Sequence, residues 1–104
     1  MIYVQDHMTQ YLRVYCNAFG FGYEDWIPCE ITGKTAVDIH HIVTRENRIE
    51  NLMAVTREIH TEFGEIKSCM AELLRRHRDV LTMRKIPYDR DWFRKHIKQY
   101  KQYE

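Results

Sequence analysis

Three of the chain's six histidines, His40, His41 and His60, lie within residues 40–60, and the first two are adjacent. Asp38 stands two positions before the pair, and Asn51 lies between the pair and His60. Imidazole both binds divalent metals and takes up a proton near neutral pH. Imidazoles, a carboxylate and a carboxamide at such spacing are the parts of a small hydrolytic metal site. Successive residues on a strand point to opposite faces. One imidazole of the pair is therefore expected to bind the metal and the other to act on a water. Asp38 shares a face with His40 and is expected to support the metal from behind its ligands or to bind it directly. His60 would supply a second ligand from across the site. The Asn51 carboxamide can bond the loop backbone and so fix where His41 points.

This chemistry suits phosphodiester hydrolysis. A metal held by few protein ligands keeps positions open for a phosphate oxygen and for the charge that develops on the leaving oxygen. A neutral imidazole, ordinarily titrating near ~6.5, can take the proton from an attacking water at cellular pH.

The elements that must position these groups can be read from periodicity and breakers. Met8, Tyr11, Leu12, Tyr15 and Ala18 recur at helical spacing, which predicts an amphipathic helix over 5–18 that ends near Gly20 and Gly22. Residues 26–31 are apolar and β-leaning, but Pro28 restricts them to a sheet edge or a strand start. Thr32-Gly33-Lys34 reads as a turn, and residues 36–43, with β-branched side chains at 37, 39, 42 and 43, read as a strand. Residues 44–50 form a polar loop, and Asn51 to Val55 is the returning strand. Thr56 is a suitable N-cap for a helix over 57–63 that carries His60 and stops or bends at Gly64. Apolar residues at Ile66, Met70, Leu73, Leu74, Val80 and Leu81, with His77 in register, predict a helix from 65 to about 85. Pro87 ends it, and Asp89 can cap a last helix over 90–102 that packs Trp92, Phe93, Ile97 and Tyr100 inward. His7, His77 and His96 have no partner at useful spacing and read as surface or helix-packing residues. The expected fold is α+β, a single domain over residues 1–104. A core at about 27–64, ordered strand, loop, strand, helix, is flanked by helical extensions over 5–19 and 65–102.

Residues 27–64 also resemble the HNH nuclease motif of the ββα-metal (His-Me finger) class. The match runs through Cys29-Glu30-Ile31-Thr32-Gly33, Val37-Asp38-Ile39-His40-His41-Ile42, Ile49-Glu50-Asn51-Leu52-Met53-Ala54-Val55 and Glu58-Ile59-His60. The chain is similar to the small stand-alone HNH proteins of phages and prophages. The resemblance implies an endonuclease that hydrolyses DNA with one divalent metal ion, Mg, Mn, Zn or Ni. In that scheme His41 is the general base, His40 and His60 are the metal ligands, and Asn51 braces the loop. Arg45 and Arg48 on the loop, with Arg57 and Lys34, would face DNA phosphates. A homodimer is compatible with cutting both strands.

Three departures qualify the resemblance. Many members carry two Cys-x-x-Cys pairs around a structural zinc. Here Cys29 is followed by Thr32, and Thr56 and Ile59 occupy the second pair, so no structural zinc is expected. Gly64 stands where some members have a third His, which leaves a two-His site to be completed by water, phosphate or Asp38. The 42–50 loop lacks the glycines often found there. These departures keep open a catalytically weak or inactive HNH-fold protein that binds DNA or assists assembly, and also a zinc-binding structural module.

Composition narrows the classes further. The net charge is +1, but residues 1–64 carry 5 Lys/Arg against 9 Asp/Glu, and residues 65–104 carry 11 against 6. A basic C-terminal part suits an anionic polymer. No apolar run is long enough to span a membrane. The first residues do not read as a signal peptide, and the three cysteines are odd in number and widely spaced, which favours a reducing, cytoplasmic setting.

Overall fold

Leu52-Met53-Ala54-Val55 is the pivot of the fold, because all four side chains are buried. A strand whose neighbours cover both faces reads as an unbroken apolar run rather than an alternating one. In the computed structural model, which describes residues 9–22 and 24–104, this run is strand β2 (Leu52–Val55). It pairs antiparallel with β1 (Asp38–His41) in the register Asp38 to Val55, Ile39 to Ala54, His40 to Met53 and His41 to Leu52. Four helices complete an α+β domain: α1 (Gln10–Phe19), α2 (Arg57–Phe63), α3 (Lys67–Met83) and α4 (Arg90–Lys101). Helix α1 lies against β2, α2 against β1, and α3 packs along α4. No helix among the described residues is long and apolar enough to cross a membrane.

Local chemistry explains most boundaries. Helix α1 closes on Gly20, whose φ of 75° is left-handed, a conformation that glycine adopts without strain. The Thr56 hydroxyl accepts from the Ile59 amide and starts α2. The Asp89 carboxylate accepts from the Asp91 and Trp92 amides and starts α4. Such caps satisfy amides that would otherwise lack partners at a helix start.

Several expectations need correction. The first helix begins after Thr9, whose backbone is extended, so it does not run through 5–18. Residues 5–8, including His7 and Met8, lie outside the described residues. The strand expected over 36–43 is confined to 38–41 because β2 offers only four partners. Asn51 sits in a 3-10 turn (Ile49–Asn51), and the return strand begins one residue later. Residues 26–31 form no strand beyond an isolated bridge between Pro28 and Thr35. Helix α3 starts at Lys67, and Ile66 before it is exposed.

The largest correction concerns His77, which is fully buried and has two partners. Its Nδ1 lies 2.6 Å from Glu30 Oε1 and its Nε2 lies 2.6 Å from the Ile49 carbonyl. The other Glu30 oxygen accepts from the Tyr15 hydroxyl at 2.7 Å and from the Ala54 amide at 3.4 Å. One buried carboxylate thus ties α1, β2 and α3 together, and through His77 the turn before Asn51. Burial, followed by the Glu30 charge, pushes the Tyr15 phenol far above its ordinary range, so it acts as a donor throughout. His96 is also buried: its Nδ1 donates to the Trp92 carbonyl and its ring stacks near Trp92.

Candidate metal centre

Strand alternation separates the histidine pair. His40 turns inward and is 3% exposed, whereas His41 is half-buried on the other side. The first turn of α2 carries Arg57 and, one turn on, His60 to the face of β1 that holds Asp38 and His40. The His40 and His60 rings lie 4.7 Å apart between centroids. Glu65, just beyond the end of α2, closes the group. One ligand atom from each of His40, His60 and Glu65 lies within 4.8 Å of the others, a set that could hold a metal ion.

Hydrogen bonding fixes which atoms are free. Asp38 Oδ2 accepts from His60 Nδ1 at 3.2 Å, which leaves the lone pair of His60 on Nε2. Such a carboxylate behind an imidazole orients a metal ligand and makes it more basic. Arg57 grips the same carboxylate from Nε at 2.8 Å and from Nη2 at 3.1 Å. Burial alone would raise the Asp38 carboxyl, but the Arg57 and His60 bonds and charges hold it below its ordinary range. Asp38 is thus committed to Arg57 and His60, the supporting position behind a candidate ligand, and the carboxylate beside the two imidazoles is that of Glu65.

His40 is the informative member. Its Nε2 is buried and has no hydrogen-bond partner among the described residues. An unpaired buried polar atom costs roughly 1–3 kcal/mol, and native structures keep few of them. Burial, and then the charge of His60, push the His40 imidazole down to about 4, against the opposing pull of Glu65. The ring is therefore neutral at cellular pH, with a lone pair to give.

Gly64 explains why no third histidine stands there. A Cβ at this position would come within 2.6 Å of the His60 carbonyl and 3.1 Å of the His40 ring. The glycine lets the end of α2 close over His40, and the next residue, Glu65, supplies the third donor. Asp38, Arg57, His60, Thr61 and Glu65 line an open cleft of about 510 Å³.

The loop holding His41 is braced as the sequence suggested, with more bonds than expected. The Asn51 side chain, fully buried, accepts from the Val43 and Thr44 amides at 3.0 and 3.3 Å. Its amide nitrogen donates to the Thr44 and Glu46 carbonyls at 2.8 and 3.0 Å. All four bonds a carboxamide can make to the loop are made. His41 Nε2 donates to Asn47 Oδ1 at 2.8 Å, so its lone pair sits on Nδ1. Tyr11 meets the ring edge-on at 5.2 Å. We expect Asn51→Asp to unfold at lower denaturant than wild type, because its carboxylate would face the two carbonyls that now accept. A loss of about 1–3 kcal/mol is expected, and an unchanged urea midpoint would contradict this account.

The four cations expected at phosphates are placed unequally. Arg48 is held by Glu46, Glu50 and Asp89 and lies over the Trp92 ring, so it locks the loop to α4. Arg57 serves Asp38, although its side chain is 69% exposed. Arg45 and Lys34 are exposed. Cys29 and Thr32, at the position of a Cys-x-x-Cys pair, form a turn in which the Thr32 amide donates to the sulfur at 3.4 Å. Sequence reasoning missed Glu65 and Asn47. An acid directly after the unexpected glycine was the available signal for the first, and a carboxamide in the loop between His41 and Asn51 for the second.

Comparison of the chain with protein-family models, with curated proteins and with solved structures returned no match.

Proposed function

We propose that the protein is a metal-dependent endonuclease of the HNH, ββα-metal type that hydrolyses DNA phosphodiester bonds. The observation that carries this reading is His40, whose buried Nε2 has no hydrogen-bond partner among the described residues, grouped with His60 and Glu65. A neutral imidazole with a free lone pair, a carboxylate-oriented imidazole and a third carboxylate make a three-ligand set of the kind found in hydrolytic centres. Two nitrogens and one oxygen suit Zn, Mn or Ni, and the exposed carboxylate also admits Mg. When bound, the ion would polarise the phosphate and stabilise charge on the leaving oxygen.

The chain's own residues supply the rest. His41 takes the proton of the attacking water on Nδ1, while the Asn47 carbonyl oxygen holds Nε2 and stabilises the imidazolium that forms. Asn51 fixes the loop so that this geometry exists before DNA arrives, as positioning for catalysis requires. Asp38 orients His60, and Arg57 keeps Asp38 ionised.

The test combines binding with cleavage. Calorimetric titration of the purified protein with Mn, Zn and Ni should show one site, and His40→Ala/His60→Ala should abolish it without loss of the folded far-UV spectrum. Supercoiled plasmid should be nicked only in the presence of a divalent ion. If metal binds yet no ion supports nicking, cleavage is excluded, and a DNA-binding or assembly protein built on the same core takes its place.

A further inference from the structure

The second cleft that bears on nucleic acid lies away from the metal centre, between α3 and α4. It measures about 410 Å³, and five cations line it: Arg78 from α3, and Arg90, Arg94, Lys98 and Lys101 from α4. The four on α4 follow one another at intervals of four, four and three residues, so they share one helix face. At 1.5 Å per residue the row is about 16 Å long. Between the two helices Phe93 is buried and Ile97 half-buried, and Tyr88 packs edge-on against the Phe93 ring at 5.3 Å. The floor is therefore apolar, and the rim is cationic.

Acidic neighbours are few. Asp79 lies 3.8 Å from Arg78, and Asp91 lies 3.3 Å from Arg94, with both carboxylates strongly exposed. Exposed pairs of this kind are worth little and exchange readily for a better anion. The cationic row is thus available to a ligand with regularly spaced negative charges. Duplex DNA carries one phosphate charge per ~1.7 Å of helix axis and is such a ligand.

The groove is also tied to the loop that follows His41. Its first cation, Arg90, follows Asp89, whose carboxylate receives Arg48 from the loop at 3.3 Å. Trp92, two residues on, donates from its indole to Glu46 at 3.2 Å. A strand held along α4 is thereby fixed in register with the loop.

The geometry points to the α3–α4 groove as a sequence-independent seat for the phosphate backbone of duplex DNA, separate from the metal centre. This rests on DNA being the substrate. Phosphate contacts of this type give affinity and orientation but no base preference.

Fluorescence anisotropy with a labelled 20-base-pair duplex in EDTA, across a KCl series, tests the groove without cleavage. For Arg94→Ala/Lys98→Ala the slope of log K against log salt should become shallower by about 0.9 for each phosphate contact removed. Arg94→Lys/Lys98→Arg should restore the wild-type slope. Both pairs are exposed, and urea midpoints equal to wild type will show that the fold is retained. In plasmid nicking, the alanine pair should raise KM and leave kcat unchanged. An unchanged slope in a protein that nicks DNA overturns the groove and leaves the nuclease reading intact. A shallower slope in a protein that never nicks supports the groove and removes the nuclease. A wild-type protein that fails to bind the duplex at low salt overturns the groove outright.

Discussion

His41→Ala is expected to lose plasmid nicking by about 10²–10⁴-fold, the usual contribution of a positioned general base. It should keep the metal affinity of the wild type. The two results must occur together. His41 lies on the opposite side of β1 from His40 and is not among the three candidate ligands, so removing it leaves the ligand set whole. Its side-chain hydrogen bond to Asn47 is exposed, so the loss of that bond costs little stability. Asn47→Ala should be milder, because the imidazole keeps its proton-accepting atom and loses only its orientation. Nicking by His41→Ala at the wild-type rate would remove His41 from the mechanism, and loss of metal binding would show that the two imidazoles are not divided as described. Rescue of His41→Ala by added imidazole would identify the missing proton acceptor directly.

The division of the histidine pair was legible because alternation on a strand is a property of the backbone. The caps at Thr56 and Asp89 and the stop at Gly64 were legible for the same reason, since they satisfy or free backbone groups within one turn. The third member of the candidate ligand group was not. Glu65 comes near His40 because the end of α2 closes over β1 at Gly64, and a glycine followed by an acid is a weak local sign of that closure. Arg48 misled because it was read as a loop cation, whereas Asp89, one of its three carboxylate partners, is 41 residues away. His77 fell correctly into the helical stripe, but its charge partner Glu30 is 47 residues distant, and an imidazole at a core position carries no sign of its protonation state. What escaped the sequence is long-range pairing among polar groups.

The pair of His77 and Glu30 gives the largest expected effect on stability. A neutral imidazole has one donor and one acceptor nitrogen. In His77 both nitrogens face acceptors at 2.6 Å, the Glu30 carboxylate and the Ile49 carbonyl, an arrangement that favours the imidazolium. Burial opposes that charge, but the Glu30 charge and bond, with the Ile49 carbonyl, outweigh it and raise His77 above its ordinary 6.5. A group raised in the folded state stabilises fully below its unfolded pKa, and the contribution is lost as pH rises through the folded value. The His77 contribution to stability should therefore be fully present at and below about pH 6.5, and stability measured by urea unfolding should decline as the solution becomes alkaline. Removing one partner of a buried ion pair leaves the other charge uncompensated, at about 3–5 kcal/mol. For a domain of this size each kcal/mol moves Tm by ~4–8 °C, so Glu30→Ala should melt well over 10 °C lower. Glu30→Gln keeps the shape and removes the charge. It should be less damaging than Glu30→Ala and should flatten the alkaline decline, because without the carboxylate His77 has no reason to titrate high. The same change should loosen the turn over Ile49–Asn51 that holds Asn51, so nicking should fall with it while metal binding persists. A Glu30→Gln protein with the wild-type slope of stability against pH would mean that His77 is neutral in the folded protein.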